Sequence, residues 1–219
     1  MLRRKALYTL LTWDWYADYA RSGQWFNSVL FATMTAYLVN MLTQSTSPGV
    51  WTALLWVVIS FVTLQSASRT FDLSPANWNY INQLVTPMEI MVGKSIASAL
   101  NSLLFVSVAF LLFGLWIGWP SDGHILAIYL SVALGTIGLS TTLCFTAAIA
   151  SKTQAKGGLL AILSLPLLLP TLMIAGRATK LATLGVETHE LTGPWLAEAG
   201  MAGIPLALSG LLFPYLWKA

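Results

Sequence analysis

Apolar residues in this chain gather into six long runs, each broken from the next by a short polar or turn-forming stretch. The runs are Trp25 to Thr43, Gly49 to Ser68, the residues after Lys94 as far as Gly118, His124 to Ala150, Gly157 to Gly176, and Trp195 to Trp217. A helix crossing a hydrocarbon core uses about 20 such residues, so six crossings take roughly 120 residues and leave about 100 for ends and connectors. Ser45-Thr46-Ser47-Pro48 separates the first two runs, and Trp119-Pro120-Ser121-Asp122-Gly123 the third from the fourth. Both stretches are turn formers, which predicts two tight hairpins. The fifth run carries Pro166 and Pro170. These remove backbone donors and free carbonyls that need protein partners in lipid, so the expectation is a kinked helix facing the bundle. Glu198 stands near the start of the sixth run. A carboxylate in mid-bilayer is costly, so the expectation places it within a turn of the helix end, at the membrane edge.

Two further segments are long enough to do more than connect spans. In residues 1–24, Tyr8, Leu11, Trp15 and Tyr19 fall at helical spacing beside the basic cluster Arg3, Arg4 and Lys5. An aromatic stripe of this kind suits the headgroup region and predicts an interfacial helix. Asp14 and Asp18 interrupt the apolar patch before it resembles a cleavable leader, so this segment is expected to be retained. In residues 69–93, Ser74 can cap a helix opened by Pro75, and Pro87 blocks its continuation. Trp78, Ile81, Leu84 and Val85 would form its apolar face, with Asn79, Asn82, Gln83 and Thr86 opposite. The pattern therefore predicts an all-α polytopic membrane protein, one membrane domain over 1–219. Spans one and two lie in 25–68, a cytoplasmic coupling segment in 69–93, spans three and four in 94–150, and spans five and six in 157–217.

Composition supports a membrane chain: 57% of residues are hydrophobic and only 9% charged, against about 25% charged in ordinary soluble domains. Net charge is +3 from 11 Lys and Arg, scattered along the chain, which argues against a nucleic-acid partner. Nine of the 11, including Arg69 and Lys94, fall on the side of the N-terminus, and only Arg177 and Lys180 on the other. That asymmetry predicts both termini in the cytoplasm. Cys144 is the single cysteine, within an apolar run, which leaves no internal disulfide and no CxxC site.

Candidate chemistry is sparse. Span interiors hold no facing pair of ionisable groups, which disfavours intramembrane proteolysis or proton-coupled transport. Gly93-Lys94-Ser95 looks like the end of a phosphate-binding loop, but position 88, where the motif requires glycine, is Met88, and no strand context precedes it. No ATPase site is expected in this chain. His124 and His189 fall on the outer side; neither is expected to hold haem or a metal. Gly138, Thr142, Thr146 and Ala150 recur every four residues, a small-residue stripe that predicts close helix packing.

Several stretches in order along the chain resemble one known family. They are Ala53 to Phe61, Arg69-Thr70-Phe71, Leu84-Val85-Thr86-Pro87 with Lys94 following, Leu139 to Leu143, Ile149 to Lys152, Leu160 to Pro166, and Leu212 to Trp217. Together they are similar to haem exporter protein B, the CcmB family of cytochrome c maturation. The resemblance implies an ABC-2 type permease subunit with six spans in a bacterial inner membrane. It implies a separate cytoplasmic ABC ATPase subunit that binds ATP, other cytochrome c maturation membrane proteins, a periplasmic haem chaperone, surrounding lipid, and a homodimer in the complex. No cofactor is expected on this chain; haem would be a handled or transported ligand. The residues implied to couple it to the ATPase are Arg69, Phe71, Asp72, Trp78, Tyr80, Ile81, Leu84, Pro87, Glu89 and Lys94. The connector departs from the family's usual abundance of charge, since Asp72 is followed by Ser74, Pro75 and a run rich in asparagine. The alternatives are an ABC-2 permease exporting a drug, lipid or glycan, and a non-transporting membrane scaffold.

Overall fold

The computed structural model describes residues 23–42, 47–71, 85–120, 122–151 and 156–216. The expected N-terminal interfacial helix and coupling helix, and with them Asp72, Trp78, Tyr80, Ile81 and Leu84, lie outside the described residues. All regular secondary structure among the described residues is helical, with no strand. Their elements are α1 (Gly23–Leu42), α2 (Pro48–Thr70), α3 (Pro87–Trp116), α4 (Ile125–Ala150), α5 (Lys156–Thr183) and α6 (Thr188–Leu216). The five from α2 to α6 are long and apolar enough to cross a membrane. In α1, Asn27, Thr33, Thr35 and Asn40 dilute the apolar content. The Thr33 and Thr35 hydroxyls are absorbed locally, donating to the carbonyls of Val29 and Phe31 at 2.7 and 2.8 Å.

Helix starts follow from short-range chemistry. Ser47 caps α2, its hydroxyl accepting from the Val50 N–H at 3.4 Å, and Pro48 occupies the first turn. This satisfies a donor that the helix cannot, while proline supplies a helical φ where no N–H is needed. Thr86 caps α3 in the same way, again with proline next. The helix that contains the third apolar run thus begins at Pro87, ahead of the run itself. The α5 end is closed by Gly185 at φ +73, with the N–H of Val186 on the Leu181 carbonyl and that of Gly185 on the Ala182 carbonyl, both 3.3 Å. These are the paired bonds of a left-handed glycine cap. A side chain at Gly185 would also run into the Asp122 carbonyl, so this turn locks against the α3–α4 connector.

The central helix is α4, which packs against α2, α3, α5 and α6 and is buried without interruption from Gly138 to Ala148. The small-residue stripe does what its spacing predicts. A Cβ on Gly138 would lie only 3.5 Å from Thr171 Cγ2 on α5 and 3.6 Å from the Glu198 carbonyl on α6, so both neighbours approach closely. Thr142 and Thr146 donate to the carbonyls of Gly138 and Thr142 at 2.8 and 3.2 Å, which hides their polarity inside the helix.

The α5 helix continues through Pro166 and Pro170 and packs on α4 and α2, with both prolines on its exposed face. The bundle receives instead Ser164, Leu168, Thr171, Ala175 and Ala182, which are buried. Small residues on that face let α5 sit close to α4, and the prolines occupy the side where their bulk meets no neighbouring helix. The expectation for Glu198 is corrected. The α6 helix starts at Thr188, a full seven residues before the apolar run, and Glu198 is only 2% exposed. It lies inside the bundle, ten residues from the helix start and not within its first turn.

Candidate functional site: the α2–α3 junction

The described part of the coupling segment is its two ends, where α2 finishes and α3 begins. Arg69 is exposed in the last turn of α2, where a cation complements the helix C-terminus. Phe71 caps that helix through its N–H on the Arg69 carbonyl and turns its ring inward to 3% exposure. On the other side, the Thr86 N–H and hydroxyl both donate to Glu89 Oε2 at 3.0 Å, and the Glu89 N–H donates to Thr86 Oγ1 at 3.4 Å. Threonine at the cap and glutamate three residues on form a reciprocal box that holds the first turn of α3 closed. The carboxylate also sits at the positive end of the helix.

Lys94, five residues beyond Glu89, brings the two ends together. Its Nζ stands 5.8 Å from the centre of the Phe71 ring, within cation–π range. Lys94 and Glu89 are both 3% exposed, so charged side chains at this junction are packed as core. Gly93-Lys94-Ser95 lies within the α3 helix, and Lys94 faces the ring of Phe71. The same turn is tied to the rest of the bundle: the Ser95 hydroxyl donates to Cys144 Sγ on α4 at 3.6 Å. A Cβ on Gly210 of α6 would come within 3.1 Å of Met88 Cε. The junction is therefore joined to α4 and α6. Of the residues expected here, Arg69, Phe71, Pro87, Glu89 and Lys94 are placed at one end of the bundle.

A groove of about 540 Å³ opens at this end between α1 and α2. Asn27, Ser28, Gln65 and Ser68 line one part of it, and Phe31, Phe61 and Leu160 another. At the opposite end of the bundle, His124 precedes α4 without a side-chain capping bond, and His189 pairs at 3.2 Å with Glu187; these residues are exposed. Among the described residues there is no cluster of three or more His, Cys, Asp or Glu.

Sequence reasoning missed Glu198. The available signal was the series Leu191, Trp195, Glu198, Ala202, Pro205 and Ser209, spaced alternately by four and three residues. That spacing places Glu198 on the face that packs inward, whatever the local charge. Compared with known proteins, residues 5–211 match the family model described as CcmB protein. No curated protein gives a significant match.

Proposed function

Because the chain belongs to the CcmB family, with several helices able to cross a membrane, we propose that it is the permease subunit of an ABC-type complex in cytochrome c biogenesis. In this reading a separate cytoplasmic ATPase binds and hydrolyses ATP, and this chain has no ATPase activity of its own. The ATPase moves the connector between α2 and α3, and the spans carry that motion outward to release a haem-loaded periplasmic chaperone or to translocate a substrate. The single observation that carries the reading is the α2–α3 junction. A ring, an ammonium and a capping carboxylate are buried together at the root of the connector, so a push there reaches packed helices without slack. The groove beside it, part amide and hydroxyl and part phenyl, has the mixed character that an amphiphilic macrocycle such as haem requires.

Six spans, a bacterial inner-membrane location, both termini in the cytoplasm and an N-terminal interfacial helix belong to the same proposal. The distribution of Lys and Arg supports the orientation. In a Cys144→Ser background, a cysteine at Thr188 should react with an impermeant maleimide in intact cells, and one at Asn79 only after lysis. The reverse pattern would invert the topology. The function itself is tested by affinity purification from native membranes, with bound proteins and haem identified. An ATPase subunit and cytochrome c maturation proteins should accompany the chain. Their absence would favour a non-transporting scaffold, and an ATPase with none of the haem-handling proteins would favour export of another substrate.

A further inference from the structure

The first half of α6 leaves one group unexplained by the coupling reading. Glu198 is 2% exposed, and neither carboxylate oxygen has a hydrogen-bond partner. Its depth can be read along four helices. Ten residues separate Thr188 from Glu198 on α6 and Ile125 from Gly135 on α4; eight separate Pro48 from Trp56 on α2 and Ala175 from Thr183 on α5. At 1.5 Å per residue these place the carboxyl about 12–15 Å below the outer helix ends, near the middle of a hydrocarbon core roughly 30 Å thick.

The surroundings restrict what could satisfy it. A Cβ on Gly135 would lie 3.0 Å from Glu198 Oε1, and 2.6 Å from both Trp56 Cη2 and Ala175 Cβ. The hydrogen-only face of Gly135 is thus where α2, α4, α5 and α6 meet, too tightly for one added carbon and far too tightly for a macrocycle. Trp56 meets the same face of Gly135 and Trp195 stands three residues before Glu198 on α6, and both indole donors are committed elsewhere. Trp56 Nε1 donates to Thr179 Oγ1 at 3.2 Å, and Trp195 Nε1 to Ser131 Oγ at 2.8 Å.

The groups at this level, Trp56, Gly135 and Ala175, are not ionisable. Of the remaining charged or titratable groups on the packed helices, Arg69, Glu89 and Lys94 lie at the opposite end of the bundle. Arg177, Lys180, His189 and Glu190 are exposed. Tyr129 is hydrogen-bonded to Ser107 at 2.8 Å, and Cys144 lies nine residues further along α4 towards the cytoplasmic end. A buried carboxylate without a partner is strongly unfavourable, and intramembrane carboxyls characteristically hold ions. One carboxyl balances one charge, and among the described residues no second acid is placed beside it.

We propose that Glu198 is the binding site for a single proton at the four-helix junction, where the packing leaves no room for a larger cation. Gly135 and Gly138 give α6 a close, smooth contact with α4, so a small shift of α6 opens the site and lets its occupant exchange. The test uses the full chain in vesicles made from expressing membranes. The probe is dicyclohexylcarbodiimide, which adds to a neutral carboxyl: the acid proton passes to a carbodiimide nitrogen and the carboxyl ends as an N-acylurea. Peptide mass spectrometry reads modification at Glu198, and Glu198→Gln must remove the signal.

Modification should fall about tenfold as the proton concentration drops to about a tenth of its dissociation constant, since about one site in ten then stays protonated. A fall on adding sodium or potassium chloride at fixed pH, with choline chloride inert, would assign the carboxyl to an alkali ion and overturn the proposal. Modification indifferent to pH, or none under any condition while the chain remains intact in the membrane, would overturn it too. The readout needs neither ATPase nor haem, so it stands or falls separately from the coupling function.

Discussion

Replacing Gly135 by valine should destabilise the detergent-solubilised chain by about 3 kcal/mol, the upper part of the range for forcing extra carbon into a packed core. The first added carbon already conflicts with Ala175 Cβ and Trp56 Cη2, each 2.6 Å from its position. Neither can yield easily. Ala175 Cβ is fixed to a helix backbone, and Trp56 is held by its bond to Thr179. Branching adds two methyl groups to the same space, so α4 must separate from α2, α5 or α6. At Gly138 the nearest atoms to an added Cβ are at 3.5, 3.6 and 3.7 Å, ordinary contact distances, and Gly138→Ala should be near neutral. The pair controls for generic loss of a helical glycine, since alanine is the better helix former by about 1 kcal/mol. Thermal unfolding followed by tryptophan fluorescence or size-exclusion survival would check it. If Gly135→Val matched the parent chain while Gly138→Ala unfolded early, the four-helix junction would be placed wrongly.

What the sequence made legible was what repeats over many residues. Apolar runs of helical length marked the five membrane-length helices, because no other structure satisfies so many backbone groups in lipid. Four-residue spacing of Gly138, Thr142 and Thr146 announced the close-packed face of α4. Turn residues marked two of the three connectors at one end of the bundle, those between α1 and α2 and between α3 and α4. What escaped depended on a boundary or on a direction. The sixth run was read as starting at Trp195 because His189 and Glu190 are polar, yet a helix does not end where hydrophobicity ends. Backbone bonding continues to Thr188, and those seven residues carry Glu198 from the first turn of the helix to its eleventh residue, inside the bundle. The fifth helix was expected to face the bundle because carbonyls freed by Pro166 and Pro170 need partners, yet the prolines themselves are exposed. The small residues Ala175 and Ala182 on the other face had the stronger claim to the interface, since they alone let helices meet. At the coupling junction the residue types were legible, but the meeting of Phe71 with Lys94 was not. It spans 23 positions, across a connector whose length and composition do not determine how its ends return.

The other large effect is expected at that junction. Phe71→Ala removes a ring that is 3% exposed and that underlies the Lys94 ammonium. Truncating a buried phenylalanine typically costs 3–5 kcal/mol, about half or more of which is apolar transfer and the rest the cavity left behind. The cation–π contact adds on the order of 1 kcal/mol when the cation is shielded from water, and losing it leaves a buried ammonium with less compensation. Because the ring sits where α2 ends and the connector begins, the cost falls on the root of the segment proposed to meet the ATPase. The variant should therefore insert into the membrane, melt earlier in detergent, and retain markedly less ATPase on affinity purification. Lys94→Met separates packing from charge: the aliphatic stem is kept, the cation is lost, and only the smaller part of the effect should remain. Equal loss of ATPase in both variants would assign the junction's role to the charge rather than to the packing. A Phe71→Ala chain that melts early yet holds its full complement of ATPase would show that the ring is only core, and would remove the junction from the coupling path.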